Sequence, residues 1–303
     1  MRFIKNFIKK ICPVPVLLFL ERMRVLVQGM IIRVKILLHM PIKKKPSKLR
    51  FEIHLAEHCN LNCKACNNFS PIAEPELVDV DEFKRDFERL GSLFSGECER
   101  IYLLGGEPLL HPEIITLMKI SRANFVKGDI DVFTNGILLT KMSPDFWKTC
   151  HDTNIGIIVS AYPINLTIDE IKALASNAGV KIQWAWGQSS QDRDLFVIRP
   201  IDVSGKQNAK VNFGICPRSV NCVMLSHGKL CSCSLVPNIY HFNKFFGESI
   251  PVLKENYIDI YEDLTSDEIL SRLAEPIPAC KYCSFNSKII KWGISRKELT
   301  EWA

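Results

Sequence analysis

From residue 51 onward the chain alternates short runs of β-branched and aliphatic residues with longer stretches of helical period. Residues 51–55 (FEIHL) alternate apolar and polar positions, which predicts a strand. Asp79-Val-Asp-Glu82 then opens a helical pattern through Phe83, Phe87 and Leu90, with acids where a helix N-terminus favours them. Residues 101–104 form a buried-strand run that stops at Gly105-Gly106-Glu107-Pro108. Pro112 is expected at a first helical position, ahead of Ile114, Ile115 and Met118. A third strand at 130–133 ends in Thr134-Asn135-Gly136, a short helix surrounds Phe146 and Trp147, and a fourth strand covers 155–159. Thr167-Ile-Asp-Glu170 reads as a capping box opening a helix to about Asn177, and 180–184 returns to strand.

Strand and helix thus alternate five times, and the polar, Gly and Cys residues gather where strands run out. That pattern implies an α/β fold of parallel βα units with function at the C-terminal ends of the strands. A sixth strand is expected within 195–203. The span is too short for eight βα units, so an open, partial (β/α)6 TIM-like barrel is expected over residues 49–205. Beyond 205 the alternation fades and cysteines return, which marks residues 206–303 as a second, smaller region.

Charge separates a third region. The net charge is +6. Residues 1–50 carry 13 Lys or Arg against the single acid Glu21, whereas the remainder carries 26 basic and 32 acidic side chains. The body is therefore mildly acidic and lacks the excess of basic charge that binding nucleic acid requires. Residues 1–48 mix basic with aliphatic residues in the manner of a helix lying on an anionic membrane surface. A helix packed on the domain, with its lysines in water, fits as well, and so does a mostly disordered leader. The uncharged run at 11–20 contains two prolines and is followed by Glu21-Arg22-Met23-Arg24, unlike a secretory signal. A cytoplasmic protein, with a candidate membrane contact at the inner face through residues 1–48, is the expected location.

Twelve cysteines in a reducing compartment point to metal ligation rather than disulfides. Cys59, Cys63 and Cys66 crowd into eight residues just after the first strand. Structural zinc prefers four ligands, usually as two C-x2-C pairs. A cubane 4Fe–4S cluster held by three cysteines keeps one iron open for a chelating molecule, which gives an odd count a purpose.

Cys59-Asn-Leu-Asn-Cys63-Lys-Ala-Cys66 after a first strand resembles the signature of the radical S-adenosylmethionine (SAM) superfamily, and Gly105-Gly106-Glu107-Pro108 resembles its GGE motif. The resemblance implies that the three cysteines hold a SAM-binding 4Fe–4S cluster. It also implies that Gly105, Gly106 and Glu107 hold the methionine amine, and that Asn135 and Ser160 contact the ribose or carboxylate. Family members cleave SAM reductively to a 5′-deoxyadenosyl radical that abstracts a substrate hydrogen, so an oxidoreductase is expected. The implied partners are a small-molecule substrate, sugar-related among the options, or a peptide, and an electron donor such as flavodoxin or ferredoxin. No motif singles out a catalytic residue beyond the cofactor set. A non-catalytic iron–sulfur protein for electron transfer or binding is the competing class.

Cys216, then Gly228 and Cys233, followed by Cys280-Lys-Tyr-Cys283, resemble the SPASM and twitch extensions of that superfamily, which bind auxiliary 4Fe–4S clusters. Residues 223–230 read as the accompanying hairpin, turning at His227-Gly228. No cysteine follows Cys283 in this sequence, so a single auxiliary cluster of twitch type is implied, with Cys222 and Cys231 spare or competing. Zinc on the same four cysteines stays open. Cys98 and Cys150 are expected as buried thiols. His54, His58, Trp184, Trp186, Arg193 and Arg199 are expected in structural or solvated roles.

Overall fold

Seven residues, Arg50–Ala56, form strand β1, and both neighbours of this strand run parallel to it. The computed structural model describes residues 13–185 and 195–303, so Cys12, Trp186 and Arg193 lie outside the described residues. On one side of β1 follow β2 (Glu97–Gly105), β3 (Lys127–Thr134), β4 (Gly156–Val159) and β5 (Ile182–Trp184), all parallel. On the other side lies β7 (Val223–Ser226), with β8 (Lys229–Cys231) and β9 (Ile258–Asp259) added antiparallel at the edge. A mostly parallel α/β sheet, open at its edges, is therefore the frame of the molecule.

Helices α2 (Val80–Leu93), α3 (Ile114–Asn124), α4 (Pro144–Asp152) and α5 (Ile168–Asn177) each link two parallel strands. Because strand side chains alternate between faces, Phe51, Ile53 and Leu55 meet Phe83, Phe87 and Leu90 of α2 in the main core. Phe83 and Phe87 stack at 4.1 Å between ring centroids. Cys98 and Cys150 are buried in the same core, as expected. The other face of the strands is polar near its N-terminal end. There Arg50 donates to the Tyr102 hydroxyl at 2.6 Å, and Arg100 pairs with Asp129 and Asp131.

Three expectations need correction. The sixth parallel strand is not drawn from 195–203; that segment contributes β6 (Leu195–Ile198), which pairs antiparallel with β10 (Lys288–Lys291) in a separate two-stranded sheet. β7 takes the sixth place instead, and its hairpin turns at His227 and Gly228, both at positive φ. Pro112 precedes α3 without entering it. The His111 ring and carbonyl accept from the N–H groups of Glu113 and Ile114, which delays the helix to Ile114. Thr167 stands at the N-cap of α5 without a side-chain cap, its backbone at ψ 67°; the capping box forms at Thr265 and Glu268, opening α8 (Ser266–Leu273).

Between these elements, α6 (Ala209–Ile215) and α7 (Ile239–Phe246) flank the hairpin. Helix α1 (Val14–Leu37) packs on α6 through Ile32, which joins Val211 and Ile215 in a small cluster of its own. A Cβ at Gly214 would overlap the Ile32 side chain, so glycine permits this close approach.

Candidate metal centre

β1 ends at Ala56, and its run-out crosses directly in front of the end of β2. Gly106 N–H donates to the Ala56 carbonyl at 2.7 Å and Glu107 N–H to the His58 carbonyl at 3.1 Å. A Cβ on Gly105 would collide with the Ala56 carbonyl, and one on Gly106 with that of His58; Gly105 also sits at φ +139°. The two glycines are there because two backbones touch.

Beyond this crossing the loop presents its three sulfurs, and two of them, on Cys59 and Cys63, accept from N–H groups. Leu61 N–H donates to Cys59 Sγ at 3.3 Å, and the Asn135 side-chain amide lies 3.6 Å from the same atom. That amide also donates to Asn60 Oδ1 at 2.7 Å, tying the end of β3 to the cysteine loop. Trp292 Nε1–H donates to Cys63 Sγ at 3.3 Å. The backbone N–H groups of Asn68, Phe69 and Ser70 favour the charged form of Cys66. Against these donors, burial pushes the Cys59 thiol up to about 12 and raises that of Cys66. Sulfurs so placed take negative charge readily only when a cation shares it.

Glu107 is fully buried and already holds three donors: Thr134 Oγ1 at 2.6 Å, Asn135 N–H at 2.9 Å and Leu109 N–H at 3.2 Å. Burial pushes its carboxyl up to about 7, while the three donors work the other way. Its side chain thereby braces the ends of β2 and β3 together, and Asn68 caps the Gly105 carbonyl at 2.6 Å. Ser160, just past β4, is buried and donates its N–H to the Thr134 carbonyl at 2.9 Å. The structure thus gathers Gly105, Gly106, Glu107, Asn135 and Ser160 along the same strand ends as the cysteine loop.

A segment far along the chain closes the loop. Cys63 and Ile294 form an antiparallel bridge, with Lys64 N–H donating to the Gly293 carbonyl at 2.8 Å and Ser295 N–H to that of Asn62 at 2.9 Å. Buried Glu301 accepts from Ala65 N–H, Ser295 Oγ and Arg296 N–H, and Trp302 Nε1–H donates to the Cys66 carbonyl at 2.8 Å. None of Trp292, Glu301 and Trp302 stood out in the sequence, because nothing local marks a residue for pairing across more than 200 positions.

The second cysteine set is drawn from three segments. Cys216 ends α6, Cys233 follows the hairpin, and Cys280 and Cys283 belong to a 3-10 turn over Pro278–Tyr282 and its cap. After burial, which is the largest effect on each, the charges of Cys216 and Cys233 raise both Cys280 and Cys283. Asn212 donates to the carbonyls of Cys280 at 2.8 Å and Cys283 at 2.7 Å, fastening that turn to α6. Cys231 is fully buried beside Val236 and Ile277, and after burial Cys233 and Cys280 raise it further; Cys222 is raised by burial, then by Glu52 and Cys216. Among the described residues, no group of three or more His, Cys, Asp or Glu side chains forms a single-ion site.

Sequence comparison bears on the first of these two sites. Residues 53–169 match the Radical SAM superfamily. The match is to a domain that spans less than half of this chain. That domain runs from β1 into α5 and carries the three-cysteine loop, the Gly105–Glu107 turn, Asn135 and Ser160. Relatives include the GTP 3′,8-cyclase of Desulforamulus reducens, 28% identical over 99 residues, 32% of this chain and 30% of that protein. The Trichodesmium erythraeum GTP 3′,8-cyclase is 33% identical over 105 residues, again 32% and 30%. The mitochondrial GTP 3′,8-cyclase of Arabidopsis thaliana is 24% identical over 237 residues, 76% of this chain and 53% of that protein. The matched stretch spans about a third of the bacterial relatives' length. Among solved structures, BtrN in complex with AdoMet and 2-DOIA is 18% identical at a TM-score of 0.47, covering 77% of this chain and 91% of that one.

Proposed function

We propose that this chain is a radical SAM enzyme in which Cys59, Cys63 and Cys66 hold a 4Fe–4S cluster, with SAM bound between that loop and the strand ends. One observation carries the reading: Cys59 Sγ and Cys63 Sγ each accept from an N–H group, beside a glycine turn closed by a buried carboxylate. The donors suit sulfur that carries charge to a metal. When bound, the cluster and SAM supply a carbon-centred radical that takes a hydrogen atom from substrate.

The residues of the chain bind and orient. The turn at Gly105–Glu107 offers its backbone to an amine, with Glu107 fixing the turn against β3. Asn135 and Ser160 border the space where a ribose and a carboxylate would lie. Cys216, Cys233, Cys280 and Cys283 are assigned to one auxiliary cluster, supported by their electrostatic coupling and by the Asn212 clamp. An electron donor of flavodoxin or ferredoxin type would supply the reducing equivalent.

For the substrate, an aromatic wall is the guide. Tyr162, two residues past Ser160, stacks with Phe196 at 6.1 Å and meets Trp292 at 6.2 Å between centroids. Such faces suit a ring with an apolar side, such as a sugar, or an apolar peptide side chain. The GTP of the cyclase relatives carries a triphosphate, which calls for clustered basic residues, whereas Arg50 and Arg100 of the inner strand face are already bonded to Tyr102, Asp129 and Asp131. The small-molecule reading is accordingly preferred to a nucleotide cyclase.

Anaerobic reconstitution followed by dithionite and SAM tests the assignment, with 5′-deoxyadenosine measured by chromatography. The parent chain forms deoxyadenosine and Cys63→Ala does not. Deoxyadenosine from Cys63→Ala at the parent rate would remove the assignment, and none from a parent with its iron intact would favour a non-catalytic iron–sulfur protein.

A further inference from the structure

Helix α1 is apolar on two faces, and the protein covers one of them. At about 100° per residue, Val25, Gly29, Ile32 and Ile36 line the side packed on the domain. The opposite side carries Phe19, Met23, Leu26, Met30, Val34 and Leu37, exposed by 42–76%. An apolar, solvent-facing stripe two dozen residues long is far more than the scattered surface hydrophobics of a soluble domain, and a helix apolar all round is normally covered on every side.

The charges follow the stripe. On the helical projection the exposed apolar sector is roughly 140° wide. Arg22 and Arg33 fall along one margin and Lys35 along the other, beside Arg24, whose guanidinium is held by Glu21 and Gln28. Glu21, the one acid of the helix, lies on the packed side, where it pairs with Arg24 and Arg199. The outward face therefore holds apolar side chains between two basic borders and no acid.

We propose that α1 seats this chain on the surface of an anionic lipid bilayer, its axis in the membrane plane and its basic margins at the phosphates. Long cationic side chains on both borders of an apolar stripe reach headgroups while the stripe enters the acyl boundary. No described helix is long and apolar enough to cross a membrane, so α1 lies on the bilayer and does not span it. A second copy of the chain is the poorer occupant. A two-fold contact between the stripes would set arginine margins against arginine margins with no acid on either face to offset them.

The test uses the full chain and vesicles of equal parts phosphatidylcholine and phosphatidylglycerol, with phosphatidylcholine alone as the control. The parent floats with the mixed vesicles and is released by high salt. Leu26→Glu with Met30→Glu reduces the bound fraction by roughly tenfold or more, since two apolar side chains leave the bilayer. Its thermal midpoint stays unchanged, because both side chains are already in water. Independently, Phe19→Trp shifts its emission to the blue with mixed vesicles only. Three results overturn the proposal: no flotation of the parent, equal flotation with neutral vesicles, or a dimer in solution that the double variant dissociates.

Discussion

Trp292 donates its indole N–H to Cys63 Sγ across 3.3 Å, although 229 positions separate the two residues. Hydrogen bonds to cluster sulfur withdraw charge and make the cluster easier to reduce. Trp292→Phe keeps an aromatic ring and removes the donor. Its cluster should therefore show a lower midpoint potential in an electron-paramagnetic-resonance redox titration, with iron content equal to the parent. A midpoint identical to the parent would leave the indole a packing role only.

The glycine turn should tolerate no side chain. Gly106→Ala drives a Cβ into the His58 carbonyl and requires β2 and the cysteine loop to separate. Overpacking of this kind costs about 1–3 kcal/mol. Urea unfolding of the apo chain should show that loss with an unchanged slope, and the variant should retain less iron. Full stability with full iron would contradict the close crossing of the two backbones.

A clamp residue offers the cleanest access to the second cysteine set. Asn212→Ala frees the carbonyls of Cys280 and Cys283 while leaving all the cysteines in place. With two cubanes the parent carries about eight irons per chain, and loss of the auxiliary one leaves about four. Iron and sulfide quantitation checks this, and zinc found in their place would reassign the site.

Asp86 sets a pH dependence remote from the cysteines. It accepts from Gly228 N–H and the Tyr261 hydroxyl where the hairpin turn meets α2, and burial raises its pKa; Glu82 adds to the rise and His227 opposes it. A carboxyl raised in the folded state stabilises the fold below its unfolded pKa, about 3.9, and that contribution is lost as pH climbs through the folded value. Asp86→Asn does not titrate. Its thermal midpoint should therefore gain on the parent as pH is raised from about 4 to 7, and a constant difference across that range would count against the burial argument.

Much of the radical SAM domain could be read along the sequence because its signals are local. Strand periods, the acids opening α2, and the cysteine and glycine spacings are each contained within about a dozen residues, and the hairpin turn at His227-Gly228 declares itself by its glycine. What the sequence concealed is long-range. A run such as 195–198 is strand-like whichever sheet receives it, and only tertiary pairing sends it to β10 while β7 docks on β1. The expected cap at Thr167 failed because its backbone sits at ψ 67°, short of the extended conformation an N-cap residue takes. Glu107 was expected at the methionine amine, yet its three donors show the carboxylate also working as a brace.

The closure of the cysteine loop by residues 292–302 has a consequence for biogenesis. Residues 59–66 leave the ribosome more than two hundred positions before Trp302 does, so the loop can take its closed form only once residues 292–302 have been made.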